Sequence, residues 1–279
     1  MIKFFFVLLA IAVIFMFIQH LFIFVYLSIE MKLANIYDKS YEVLSKKKLL
    51  ENCLKEFKFF MAKFYLYPLK FTNANAKGTK DLSSKQIVIL VHGFGRSQVD
   101  WFWFKKELGL ANVYTVNLHP SFSSIEKIAS NLDLDIQKII KENGHNEPEV
   151  ILIGHSMGGL VSSYYATSLD KAHQVKQIFT LGSPWHGTKI AVAASAPNMV
   201  QMQPQSPFLA ALRMSIANNP RLKIYNLNTK TDNLIFPWNS PILETTNKNN
   251  IFTVDSESHL GLIHNPQIVQ KIKYWLTAV

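Results

Sequence analysis

The chain has 279 residues, of which 49% are hydrophobic, enough for the core of one good-sized domain and a small appendage. Its net charge of +10 comes almost wholly from lysine, and no nucleic-acid-binding motif occurs, so we expect no nucleic-acid partner. The charge fits either anionic lipid head groups or a solvated lysine surface. The single cysteine, Cys53, excludes an internal disulfide. Since no metal-ligand spacing or phosphate loop occurs, we predict no cofactor and no metal.

The first 30 residues form a long apolar segment. No charged residue lies between Lys3 and Glu30, and as a helix these 26 positions would reach about 39 Å, against about 30 Å for the hydrocarbon layer of a membrane. We predict a single transmembrane anchor over residues 1–30. A cleaved signal peptide is the alternative, but the segment exceeds the usual apolar length and no A-x-A-like site follows it. Positive charges flank both ends and leave open which side of the membrane holds the catalytic domain.

Residues 31–85 are predicted to be a basic amphipathic helical segment and a linker. Apolar side chains recur there at helical spacing, at Leu49, Leu50, Cys53, Leu54, Phe57, Phe60, Met61 and Phe64. Such a helix fits two placements, on a membrane surface or packed against the following domain. The polar stretch 72–85 is rich in structure-breaking residues and marks the start of that domain.

From residue 86 onwards the chain alternates strand and helix signals, which predicts an α/β fold with a mostly parallel sheet flanked by helices. The predicted strands are short runs rich in β-branched residues, at 86–91, 112–118, 149–154, 175–182, 222–228 and 251–254. The predicted helices cover 100–109, 123–143, 157–170 and 266–278. Residues 184–221 carry no strand signal, and Ser206 followed by Pro207 indicates a helix start there.

A serine lies between two glycines where the third predicted strand gives way to a helix. In the run Gly154-His155-Ser156-Met157-Gly158, Ser156 falls on the connecting turn. A nucleophile on so sharp a turn has a strained backbone, and side chains at 154 and 158 would collide across it, which explains both glycines. The turn presents the hydroxyl above the carboxyl end of the strand. We therefore predict Ser156 as a catalytic nucleophile, the alternative being a serine at an ordinary helix start.

A serine nucleophile needs a histidine base and an acid that orients it, and in this topology the chain order is serine, acid, histidine. His259 lies on the loop between the last predicted strand and the last helix, and we prefer it as the base. For His264, nearer the helix start, we expect a capping or surface role. Asp232 follows the preceding strand and is the preferred acid. Asp255 is the alternative, but it shares the loop of His259 and is poorly placed to approach the imidazole from behind.

The oxyanion that forms during acyl transfer needs two N–H donors. The backbone N–H of Met157, after the nucleophile, is one candidate, and that of Phe94, on the loop after the first strand, is the other. Gly93 allows the backbone of that loop to approach closely. His92 is predicted to tie the loop by a hydrogen bond, and His155 is expected to point away from the base position.

Five motifs occur in one order over residues 86–279, namely VHGFGRS, IGHSMGGLVSSYY, TLGSPWHGT, TKTDNLIFP and SHLGLI. Together they resemble the bacterial lipase/esterase branch of the α/β-hydrolase superfamily, which includes triacylglycerol lipases. The resemblance implies the α/β-hydrolase fold with a catalytic domain over 86–279 and a small helical cap over about 189–221. The residues that it assigns to catalysis are Ser156, Asp232, His259, Phe94 and Met157.

The resemblance implies a serine hydrolase that cleaves carboxylic esters. The alanine and methionine content of 189–221 fits a lipid ester, although the same residues fit a buried helix pair. Trp101 or Trp103 is a further candidate contact for an acyl chain, with core packing as the alternative. A membrane anchor would concentrate lipid substrate at the site. Two other functions stay open: an acyltransferase using the same acyl-enzyme, and a catalytically silent hydrolase fold that binds a lipid or protein partner.

Overall fold

The computed structural model describes residues 2–37, 39, 43–66, 80–81, 83–144 and 147–277. Most of the predicted linker at 72–85 lies outside these residues. The α-helices are α1 Ile2–Tyr37, α2 Lys46–Leu66, α3 Phe102–Leu108, α4 Ile125–Asn143, α5 Met157–Tyr164, α6 Pro197–Gln201, α7 Pro207–Ala217 and α8 Pro266–Thr277. The strands are β1 Gln86–Val91, β2 Val113–Val116, β3 Glu149–His155, β4 Val175–Leu181, β5 Lys223–Thr229 and β6 Ile251–Val254.

The six strands form one sheet in the order β2-β1-β3-β4-β5-β6, and every neighbouring pair is parallel. The predicted parallel sheet flanked by helices is therefore confirmed. Because the chain order runs outward from β1 to β2 and then from β3 to β6, the direction of winding reverses between β1 and β3. In open α/β sheets, ligands bind beside the carboxyl ends of the strands at such a reversal.

The helices cover both faces of the sheet, and the strands alternate between two cores. Along β1, Ile87, Ile89 and Val91 face the core shared with α4, α5 and α7, whereas Val88 and Leu90 face the core shared with α3 and α8. A strand covered on both faces has to be apolar at consecutive positions, which is the pattern that the strand run QIVILV shows.

The apolar N-terminal segment is one continuous helix, α1, and extends beyond the predicted boundary at residue 30. Among the described residues it is the one helix long and apolar enough to cross a membrane, with a mean hydropathy of 2.7 over its most apolar window. Its first part is exposed, but Phe24, Leu27 and Met31 are buried against Cys53 of α2 and Phe236 of the domain. Its C-terminal half therefore packs against protein.

The predicted basic helix is α2, and it packs against the α/β domain. Among the α2 side chains that the structure describes, Asn52, Cys53 and Glu56 are fully buried, whereas Leu50 and Leu54, which the periodicity placed on the apolar face, are half exposed. The centre of the buried face is thus rotated by about a quarter of a turn from the predicted one, with Cys53 common to both. It includes two polar residues because, as described below, it meets the polar loops that follow β5 and β6.

Candidate active site

The carboxyl ends of β1, β3, β5 and β6 lie along one edge of the sheet and carry the residues singled out in the sequence. Gly93 and Phe94 follow β1, and Ser156 follows β3. Asp232 and His259 follow β5 and β6. The parallel sheet therefore brings together side chains that are separated by up to 166 positions in the chain, from Gly93 to His259.

Ser156 is the single residue between β3 and α5, and its backbone is strained. It has φ 57° and ψ −127°, a conformation that L-residues rarely adopt. Its N–H donates to the carbonyl of Leu181 at 2.8 Å, which ties the turn to β4. The N-terminus of α5 begins at the next residue, so the hydroxyl lies at the positive end of a helix.

The glycines around Ser156 are required by close backbone approach. A Cβ at Gly154 would lie 2.5 Å from the Cα of Gly159, so the clash across the turn is with the backbone of α5 and not, as predicted, with a side chain at 158. At Gly158 the space is filled instead by the carbonyl oxygens of Val91 and His92, so this glycine lets α5 pack onto the end of β1. A Cβ at Gly93 would lie 2.9 Å from the Cβ of Ser156.

His259 and Asp232 form a buried pair. The Nδ1 of His259 lies 2.8 Å from Oδ2 of Asp232, and both side chains are almost fully buried. A carboxylate oxygen can only accept, so Nδ1 carries the proton and Nε2 is left free to accept one. The other oxygen, Oδ1, accepts the backbone N–H groups of Leu234 and Ile235 at 2.8 and 2.7 Å, which fixes the carboxylate.

The electrostatic surroundings favour a protonatable His259 beside a neutral His155. Burial alone would lower the pKa of His259, but the charge and hydrogen bond of Asp232, helped by Glu56, raise it above its ordinary value. Burial and the nearby His259 hold the pKa of His155 well below its ordinary value. The His155 ring does not point away from the base as expected. Its Nε2–H donates to the backbone carbonyl of His259 at 3.1 Å, which restrains the backbone of the base.

The two alternative residues lie elsewhere. Asp255 is exposed and pairs with Lys230 at 3.7 Å. His264 is half-buried: its ring stacks on that of Phe59, with the ring centres 4.1 Å apart, and burial lowers its pKa to about 4. The structure thus brings Asp232, and neither of these residues, to His259.

The two candidate oxyanion donors lie beside the nucleophile. Met157 is the first residue of α5, a position where a backbone N–H has no acceptor within its own helix. Phe94 lies on the β1 loop, which His92 ties as predicted: its Nε2 accepts the N–H of Leu118 at 2.9 Å, and its Nδ1 lies 2.8 Å from the Gly93 carbonyl oxygen.

One cavity of about 120 Å³ contains both Ser156 and His259 in its wall. Its remaining lining is mostly apolar. It includes Ile190, Met199 and Met202 of the segment 189–221, Leu234 and Ile235 of the loop that follows β5 and carries Asp232 (the acid loop), and Phe94 and Arg96 of the β1 loop. Trp101 is fully buried in the core of the α3 face, which supports the core interpretation for this ring. Trp103 is only partly buried against that core, with its ring centre 5.7 Å from that of His264.

The segment 189–221 contains α6, α7 and a short 3₁₀ helix at Lys189–Ala193. Gln201 ties it to α4, because its Oε1 accepts the N–H of Ile125 at 2.7 Å and its amide donates to Glu126 at 2.6 Å. Within the part of the chain that the structure describes, no group of three or more His, Cys, Asp or Glu side chains is arranged to hold a metal ion.

Sequence reasoning missed two residues around the base. The backbone N–H of His259 donates to Oδ1 of Asn233 at 2.8 Å, and the Asn233 amide in turn donates to the buried Glu56 of α2. Asn233 follows Asp232 directly and carried a weak positional signal. Glu56 lies in a lysine-rich helix, where a carboxylate is expected to be solvated, so its pattern carried no signal.

The chain matches one known domain family. Residues 95–207 match the family described as the PGAP1-like alpha/beta domain. This segment includes Ser156, the strand before it and most of the segment 189–221, and it ends before Asp232 and His259.

Solved structures resemble a larger part of the chain. The mature form of lipase BlEst2 from Bacillus licheniformis aligns with a TM-score of 0.56 and 17% identity, covering 72% of this chain and 94% of that one. The product of gene lin2722 from Listeria innocua aligns at 0.54 and 14% identity, covering 70% and 95%. A structure described under LipS and LipT, two metagenome-derived lipolytic enzymes, aligns at 0.56 and 12% identity, covering 74% and 99%. The resemblance inferred from the five motifs is confirmed at the level of the α/β-hydrolase fold.

Proposed function

We propose that this protein, which has the α/β-hydrolase fold, is a serine hydrolase that cleaves carboxylic esters through an acyl-enzyme on Ser156. One observation carries the proposal: a serine with positive φ and the imidazole of a buried His–Asp pair line the same cavity. The similarity to structures described as lipases and lipolytic enzymes supports ester hydrolysis in a broad sense.

In the first half of the proposed reaction, Oγ of Ser156 attacks the ester carbonyl carbon while Nε2 of His259 takes the hydroxyl proton. Asp232 holds the ring in the required tautomer and stabilises the imidazolium that forms. The N–H groups of Phe94 and Met157 donate to the oxyanion. As the tetrahedral intermediate collapses, the alcohol leaves with the proton from Nε2, and the acyl group stays on Ser156.

In the second half, water replaces the alcohol. His259 takes a proton from the water as its oxygen attacks the acyl carbon, a second oxyanion forms at the same donors, and the carboxylic acid leaves as Nε2 returns the proton to Oγ. No step uses a metal ion or cofactor, in keeping with the chemistry of these side chains.

The lining of the cavity supports a lipid ester as substrate. Methionines and branched aliphatic side chains from 189–221 and the acid loop suit an acyl chain, since they offer apolar and adaptable contacts. We also propose that α1 is a membrane anchor through its exposed N-terminal part. This placement raises the concentration of lipid substrate near the cavity and assigns the protein to a membrane by a single span.

The first test is labelling of the detergent-solubilised full chain with a fluorophosphonate, followed by hydrolysis of esters of graded chain length. We expect labelling of the wild type and its loss in Ser156→Ala and His259→Ala, with kcat for Ser156→Ala lower by about 10⁶-fold. Ser130→Ala, an exposed serine on α4, is the matched control. Unchanged hydrolysis by Ser156→Ala would remove the proposal. A folded wild type that neither labels nor hydrolyses esters would favour the catalytically silent alternative.

Product analysis in the presence of a competing alcohol then separates a hydrolase from an acyltransferase, because the acyl-enzyme is common to both. We expect the free acid to be the main product. A new ester as the main product would instead show that the acyl group is transferred to the alcohol, and the protein would be an acyltransferase.

A further inference from the structure

A buried carboxylate on α2 contacts the loops that carry the acid and the base. Glu56 is only 2% exposed, although most of the lysines of the same helix are exposed. It falls outside residues 95–207, and the reaction described above makes no use of it. Burying an ionisable side chain is costly unless hydrogen bonds satisfy it, so its contacts define its role.

Both oxygens of Glu56 accept hydrogen bonds from residues adjacent to the catalytic pair. Oε2 accepts the backbone N–H of Leu260, the residue after His259, at 2.9 Å. Oε1 accepts the side-chain amide of Asn233, the residue after Asp232, at 3.3 Å. One carboxylate thus connects the acid loop to the base loop.

Asn233 extends this connection to the base itself. Its Oδ1 accepts the backbone N–H of His259 at 2.8 Å, while its amide nitrogen points to Glu56. Since Glu56 also holds the N–H of Leu260, the two N–H groups on either side of the His259 carbonyl are restrained. The same carbonyl accepts from His155, so the backbone of the base is held from three directions.

A second side chain of α2 makes the same kind of connection one turn earlier. The Asn52 amide lies 3.4 Å from Thr231 Oγ1 on the acid loop and 3.4 Å from Ser256 Oγ on the base loop. Residues 52 and 56 are four apart and so share one helix face. This face of α2 is therefore fitted between the two loops, which explains why it is polar and buried.

The form of Glu56 that fits these contacts is the ionised one, because both oxygens face N–H donors. Burial raises the pKa of the Glu56 carboxyl above its ordinary value, although the charge of His259 and the hydrogen bonds from Ser258, Leu260 and Asn233 act in the opposite direction. The titratable groups that face it are His259 across the loops and Cys53 on its own helix. Asp232 and Arg96 act on His259 from the other side.

We propose that Glu56 is a positioning residue for the base, holding the His259 loop against the Asp232 loop from the N-terminal helical hairpin formed by α1 and α2. This inference rests on the proposed function. According to this proposal, α2 contributes a residue that positions the catalytic base, in addition to connecting the apolar helix to the α/β domain. α2 in turn packs on α1 through Cys53, Phe24 and Met31, so α1 holds α2 in place while Glu56 makes the contact with the base loop.

The test compares Glu56→Gln with Glu51→Gln in the full-length chain. Glu51 is an exposed carboxylate on the same helix, so it matches the chemical change without the contacts. For Glu56→Gln we expect kcat to fall about 10- to 100-fold, as for loss of a hydrogen bond to a buried charge, with KM within about twofold of the wild type. The low-pH limb of kcat/KM should shift to lower pH, because the removed charge helps to raise the pKa of His259. Glu51→Gln should behave as the wild type.

The proposal would be overturned by an unchanged kcat in Glu56→Gln, by a change confined to KM, or by an equal loss of kcat in Glu51→Gln. It would also be overturned by a low-pH limb that does not move in Glu56→Gln, because a merely structural role predicts no such shift. If Glu56→Gln does not fold, Asn233→Ala, which leaves Glu56 its charge and its bond to Leu260, carries the same expectation for kcat and KM, with the low-pH limb unmoved. If the wild type proves inactive, the proposed function fails by itself. Hydrogen–deuterium exchange then decides: faster exchange over 255–264 in Glu56→Gln supports the connection, and unchanged exchange removes it.

Discussion

The nucleophile and the base reach their positions in different ways. The turn at Ser156 is built from neighbours in the chain, chiefly Gly154 and Gly158, with β1 and β4 packed closely around it. The base is held by residues far away in the chain: Asp232 is 27 positions from His259, and Glu56 is 204 positions from Leu260. A short motif therefore specifies the nucleophile, whereas the base depends on the tertiary contacts of three separate segments.

The largest effect that separates these two regions is expected at the acid. In Asp232→Asn the side-chain amide can donate to Nδ1 of His259, which favours the tautomer with the proton on Nε2 and so blocks the base. We expect kcat to fall about 10⁴-fold, with the melting temperature changed far less. Ester hydrolysis and thermal unfolding measure the two. Asp255→Asn, an exposed aspartate on the base loop, is the control. Comparable losses in both variants would contradict the assignment of the acid.

The next effect is expected in stability, at the turn. In Gly154→Ala the added Cβ would lie 2.5 Å from the backbone of α5, which has to shift, so we expect a loss of about 3 kcal/mol of unfolding free energy. Gly144→Ala is the matched comparison. Gly144 has φ 74° but open space around it, so only conformational strain of about 1 kcal/mol is expected. Chemical denaturation of the two variants tests this difference. Equal losses would show that packing at the turn is not what requires glycine.

These contrasts explain how much could be predicted from the sequence. The strands, the order of Ser156, Asp232 and His259, and the two oxyanion candidates follow from short apolar runs and residues at strand ends, which are local signals. The buried face of α2 was predicted about a quarter of a turn away, because helical periodicity counts apolar residues and the face that packs here contains Asn52 and Glu56. A buried polar contact made with loops some 200 positions later leaves no local pattern.

A moderate effect is expected in the pH dependence of activity. The base acts only when His259 is neutral, and Asp232 together with Glu56 raises its pKa above the ordinary value of 6.5 despite burial. As the pH falls through this raised pKa, His259 becomes protonated and kcat/KM declines. We therefore expect the midpoint of the low-pH limb above pH 6.5 in an ester hydrolysis assay. A midpoint below that value would show that the buried pair does not control the base.

The smallest effect is expected at Glu30, the carboxylate through which α1 contacts the α/β domain. Glu30 of α1 pairs with Lys189 at 2.6 Å, but the lysine side chain is 48% exposed, so solvent screens the pair. Surface ion pairs contribute about 0–1 kcal/mol, and we expect Glu30→Gln to lower the unfolding free energy by less than about 1 kcal/mol and to leave kcat unchanged. Chemical denaturation and hydrolysis of a soluble short-chain ester measure both. Because Glu30 and Glu56 each connect the hairpin to the domain, a loss of kcat in Glu30→Gln would mean that the whole hairpin, and not the contact of Glu56 with the base loop, supports the site.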